Sequence, residues 1–139
     1  MSFSNEFLYD FKPVYEGILM AKDVKPERAI VEVIDEEQEG AGMFEPAGAL
    51  EVLEQIGDDV NTLTIYTDRA AYFWEFVETM YEKNGLVSLI VSKKHLGLAK
   101  KTVGCSSIFL FDFEWDGAFY EKQIALGKHY IPIHKRAWR

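Results

Sequence analysis

Four stretches of the chain end in side chains able to hold an ion or move a proton: Asp35-Glu36-Glu37, Asp68-Arg69, Lys93-Lys94-His95 and Asp112-Phe113-Glu114. Each closes a short apolar run. If those runs are parallel strands of one sheet, their C-terminal ends share a rim, and open α/β sheets bind ligands at that rim where the strand order reverses. Asp35, Asp68 and Asp112 would then supply carboxylates for a hard cation such as Mg²⁺, which takes one or two carboxylates together with water and phosphate oxygens. Lys93 suits a phosphoryl group, and Glu114 extends the acidic set. Each residue also has a role that needs no ligand. Asp68 precedes a helix and can serve as its N-cap, a role worth about 1 kcal/mol; Asp35 opens an acidic loop, Asp112 can cap a turn, and a lysine pair at a helix start is commonly solvated.

The positions matter only if the elements behind them run the same way. TLTIYTD (62–68), LVSLIVSK (86–93) and SSIFLFDFE (106–114) are β-branched or aromatic runs separated by amphipathic segments, the signature of β-α-β units with strands buried on both faces. RAIVEVID (28–35) reads as a further strand, placed nearer an edge because one face carries Glu32. Helices are expected over 46–56, 70–84 and 94–103, closed by Gly57, Asn84-Gly85 and Gly104. The strongest is the second, where Phe73, Phe76, Val77, Met80 and Tyr81 form one stripe. Two short strands or a hairpin are expected within 1–27, split by Pro13 and Gly17. Ala118–Leu126 reads as a helix, and 128–139 as an edge strand or tail, because Pro132 excludes a central strand. The expectation is a single three-layer, Rossmann-like α/β domain over 1–139, with a mostly parallel sheet of about four strands and an N-terminal hairpin or edge strands.

Several motifs are absent. A dinucleotide fingerprint needs G-x-G-x-x-G between strand and helix; Gly40, Gly42 and Gly48 miss that spacing, and Glu36, Glu37, Glu39 and Glu45 would repel a pyrophosphate. No G-x-x-x-x-G-K-[ST] or G-x-S-x-G occurs. His95, His129 and His134 lack zinc spacing with Cys105, the single cysteine, which begins a strand pattern where a buried, inert thiol is the usual state.

The span MFEPAGALEVLEQIGDDVNTLTIYTD (43–68) resembles the helix-then-strand portion of ribonuclease H-like nucleases. That resemblance implies metal binding by Glu45 and Asp68, with Asp10 in FLYDF completing the acidic core. Pro46, directly after the Glu, departs from the pattern. FDFEWDG (111–117) resembles the nucleophile motif of phosphoaspartate hydrolases, but Glu114 replaces the second Asp of that motif.

With 139 residues, 48% of them apolar, the chain has room for one domain and its core. Net charge is −8, divided unevenly: residues 1–91 hold 19 acidic and 6 basic side chains, and residues 92–139 hold 4 and 9. Such a division suits a basic face for an anion, or faces that complement one another within the fold or across a homo-oligomer. The acidic majority disfavours double-stranded DNA. The tail HYIPIHKRAWR mixes aromatic and basic groups that stack on single-stranded nucleic acid, join a protein interface or pack on the domain. No apolar stretch is long enough to span a bilayer and no leader pattern is visible, so a cytoplasmic location is expected. The functional expectation is a binding or regulatory module with a small molecule or protein at the C-terminal rim. The alternatives are a divalent-metal phosphohydrolase or nuclease and a self-associating structural protein.

Overall fold

The computed structural model describes residues 11–36, 48–98, 108–114 and 129–133. The first described element corrects the expected hairpin from residue 11 onward, since Phe11–Ala21 is an α-helix, α1, while residues 1–10 lie outside the described residues. Phe11, Tyr15 and Leu19 recur every fourth residue and are buried, with Val14 and Ile18 packed partly beside them. Pro13 lies in the first turn, where a helix leaves its N–H groups unpaired anyway. Gly17 sits on the exposed face with open space around it. Neither residue breaks the helix.

The described residues form five strands, β1 (Ile30–Ile34), β2 (Thr62–Tyr66), β3 (Val87–Val91), β4 (Ile108–Asp112) and β5 (His129–Pro132). They form one sheet in the order β3-β2-β1-β4-β5, and every pairing is parallel. The chain is therefore an α/β domain with an all-parallel sheet. β5 is an edge strand, as Pro132 requires. β1 is not: it pairs with β2 and β4 and lies at the centre. Glu32 is tolerated there because it is only half-buried, beside Tyr66, whose hydroxyl is pushed above its ordinary pKa by burial and then by the Glu32 charge.

Between the strands, α2 (Ala49–Ile56) follows β1, and a 3₁₀ turn (Ala70–Phe73) leads into α3 (Trp74–Asn84) after β2. α3 stops where expected. Gly85 adopts a left-handed φ of 70°, and its N–H bonds to Tyr81 O at 2.9 Å. After β3 only a 3₁₀ segment, Lys93–Leu98, is described; the rest of the helix expected over 94–103, the one over Ala118–Leu126, and Cys105 lie outside the described residues.

Alternate residues of each strand point to opposite faces. Val31 and Val33, Leu63 and Ile65, and Phe109 and Phe111 share one face and form the main core with Tyr15, Leu53, Ile56, Phe73 and Met80 from the helices. α1, α2 and α3 therefore cover the same side. On the other face Ile34, Leu110 and Tyr130 form a smaller cluster with Tyr66. The expected third layer falls on segments outside the described residues. Among the described residues no helix is long and apolar enough to cross a membrane.

Candidate functional site

Because all five strands are parallel, their C-terminal ends do share a rim. Backbone bonds carry the pairing past the strands: Asp35 N to Tyr66 O at 2.9 Å, Thr67 N to Val91 O at 2.9 Å and Phe113 N to Ile34 O at 3.0 Å. Asp35, Asp68, Lys93, Asp112 and Glu114 all stand on this margin.

The three aspartates do not converge. Asp35 follows Ile34 and points to the helix-covered face; Asp112 pairs in register with Ile34 and points to the other. Asp112 is 1% exposed; it accepts a hydrogen bond from the Tyr130 hydroxyl and, at 2.8 Å, one from Glu114 N. Asp68 is exposed and accepts from Ser92 Oγ at 3.0 Å and Lys93 N at 3.2 Å, so it ties the β2 and β3 ends together instead of capping the turn that follows it. Among the described residues no three His, Cys, Asp or Glu side chains gather as a metal site. Asp10 and Glu45, the other members of the nuclease-like triad, lie outside the described residues.

Among the described residues the rim's most extensively hydrogen-bonded side chains centre on a residue that sequence reasoning did not single out, Arg69. Its Nε donates to Asp35 Oδ2 at 2.7 Å and its Nη2 to Asp35 Oδ1 at 2.9 Å, a two-pronged pair. Nη2 also reaches Glu36 Oε1 at 3.0 Å, and the guanidinium lies 4.0 Å from the Tyr72 ring centroid. Thr67 Oγ1 completes the set, donating to Asp35 Oδ2 at 2.7 Å and accepting from Arg69 N at 3.0 Å. Asp35 is 1% exposed, so its charge is held by these partners and not by water. The hydrogen bonds to Asp35 in turn push the Arg69 pKa above its ordinary value.

Glu36 links this cluster to α2. Its Oε2 accepts from Ala49 N at 3.3 Å, and a Cβ at Gly48 would run into Oε1, so glycine is needed for this approach. Burial, and then the neighbouring Asp35 charge, hold the Glu36 carboxyl above the ordinary carboxylate range, against the pull of the Ala49 N–H. The native chain thus binds a proton at Glu36 more tightly than the unfolded chain. That contribution to stability is complete below the unfolded pKa and is lost as pH rises through the raised native value. Glu36→Gln should remove this slope: thermal melts are expected to show the variant more stable than the parent at about pH 7 and equal to it near about pH 4.

Lys93 and Glu114 pair with each other. The contact is long in its reach across the sheet: β3 and β4 are three strand spacings apart, about 14 Å. The pair therefore lies across the ends of β2 and β1, with the lysine side chain only 13% exposed. Beside the rim, α2 and α3 border a groove of about 420 Å³, floored by Phe76 and Met80 and reaching Tyr72.

Comparisons with protein-family models, curated proteins and solved structures find no significant match to this chain.

Proposed function

We propose that this chain is a binding or regulatory module that takes its ligand or partner at the C-terminal rim, over the crevice between β1 and β4. The observation that carries this reading is the reversal of strand order: β1, β2 and β3 succeed one another in one direction, while β4 and β5 lie on the other side of β1. At such a reversal the connections leave in opposite directions, and a crevice opens above the strand ends. On this reading Glu36 and Arg69 flank it from the β1 and β2 ends and Glu114 from the β4 end, with Asp35 and Asp112 buried beside them. Lys93 reaches over it to Glu114. A ligand with a phosphate or carboxylate group would take the place of Glu114 on Lys93, exchanging one charged partner for another at little desolvation cost.

Thermal shift with inorganic phosphate, ADP and ATP, each with and without Mg²⁺, tests this. A ligand of the native state stabilises it by about 2.7 kcal/mol at a hundred times its Kd, and that rise should vanish in Lys93→Ala. Failure of every member of the set to stabilise the chain, or equal stabilisation of Lys93→Ala, would retire the reading.

A further inference from the structure

The two lateral edges of the sheet differ. At β5, Ile133 N donates to Asp112 O at 2.7 Å, so position 133 faces β4 and position 132, one residue earlier, faces outward. That outward residue is Pro132, which has no N–H to offer. At β3, Val91 O accepts from Thr67 N at 2.9 Å, which turns Val91, Leu89 and Val87 toward β2. The N–H and C=O groups of Ser88 and Ile90 consequently point out of the sheet.

Natural edge strands are usually blunted by charge, proline or a bulge. β3, Val-Ser-Leu-Ile-Val, has neither charge nor proline. Side chains reinforce the open backbone. Among the described residues the exposed large apolar side chains are Met20, Tyr72, Trp74, Tyr81, Val87 and Leu89. Four of these border β3. Val87 and Leu89, 56% and 60% exposed, stand on the strand's face opposite Ser88 and Ile90. Trp74 and Tyr81 lie seven residues apart on one flank of α3, which packs on β3. Thr79 and Lys83 occupy the opposite flank, lining the groove against α2, so Trp74 and Tyr81 face away from α2 toward the β3 margin.

We propose that this edge is the interface between two copies of the chain, with β3 pairing antiparallel to its counterpart across a two-fold axis. A two-fold sets the strand against itself, so the surface must be self-complementary. An uncharged strand meets that condition even though each chain carries a net charge of −8, because the acidic groups are off the strand. The area is sufficient. At 150–250 Å² for a whole aromatic side chain, the exposed parts of these four residues come to roughly 450 Å² per copy. Two copies thus bring about 900 Å² of exposed side chain to the seam, of which pairing covers the flanks turned to the partner, and with the strand backbones the contact is on the order of the ~1,000 Å² of a specific interface.

Sedimentation velocity of the full chain across micromolar concentrations, combined with amide exchange, tests the proposal. The parent is expected to sediment as a dimer that survives high salt, unlike one held by opposite charges. Leu89→Lys, which changes a side chain exposed in the single copy, should keep the parent's circular dichroism and weaken association by about 100-fold or more. The Ser88 and Ile90 amides should be protected in the parent and exchange freely in the variant, while the Leu89 amide, bonded to β2, stays protected in both. A parent that is monomeric throughout, a dimer whose Ser88 and Ile90 amides exchange freely, or an unweakened Leu89→Lys dimer would each overturn the assignment.

Discussion

Replacing Arg69 with Met is expected to lower the free energy of unfolding by about 3–5 kcal/mol, the usual cost of leaving one member of a buried ion pair without its partner. Asp35 is 1% exposed and would retain Thr67 but lose both prongs of the guanidinium. Methionine preserves most of the aliphatic stem, so the loss reports the guanidinium and its contacts, not the packing of the stem. The reciprocal change should cost less. In Asp35→Asn the Arg69 side chain, 29% exposed, can still reach Glu36 and water. Combining the two changes should recover a large part of the Arg69→Met loss, because no lone buried charge remains. Urea denaturation of the four chains gives the coupling energy directly. A loss below about 1 kcal/mol in Arg69→Met would mean that water reaches Asp35.

Phe111→Ala is expected to cost about 3–5 kcal/mol as well, for a different reason: it opens a cavity at the centre of the larger core. Phe111 is fully buried on β4, with the Phe11 ring 5.5 Å away at 84° and the Tyr15 ring at 6.1 Å. Both partners belong to α1. The helix is held further by the burial of Leu19, with Val14 and Ile18 packed partly beside it, and by two hydrogen bonds, Phe11 N to Gln55 Oε1 at 2.6 Å and the Tyr15 hydroxyl to Asp59 O at 2.9 Å. An eleven-residue helix has little stability alone. Amide exchange in Phe111→Ala should therefore accelerate more over 11–21 than over β1 and β2. Uniform acceleration would show that α1 is held by the fold as a whole and not by this aromatic contact.

The strands were legible because their apolar runs are short and bounded, and the alternation with helical segments made parallel pairing the natural expectation. Their order was not. Nothing local in SSIFLFDFE states that β4 returns to pair with β1, because pairing partners are chosen by packing across the whole sheet. Two local signals misled. Glu32 suggested an edge for β1, yet the glutamate fits a central strand because it stays half-buried there beside Tyr66. Pro13 and Gly17 looked like breakers, yet one sits in the first turn and the other on the solvent side.

At the rim, the sequence placed the charged groups on the correct margin but not on their faces. In β1 the alternation is readable, since Glu32 lies two residues before Ile34 and marks the more open side. β4 is buried at every position, so no pattern reveals which way Asp112 turns. The proposed carboxylate set separates for that reason. Arg69 was hidden by distance, since it lies 34 residues from Asp35 in the chain. The only trace available was that it is one of few cations among the first 91 residues, and the only one at a strand end there.

Pro132 sets a limit on growth. A sheet that adds a neighbour at both margins can propagate into a ribbon, and only a terminator stops it. Here one margin is receptive and the other is interrupted by an imide nitrogen facing outward. Joining two such margins as proposed would consume both of them, leaving the described strands of the pair in one sheet capped at each end by a proline-bearing strand.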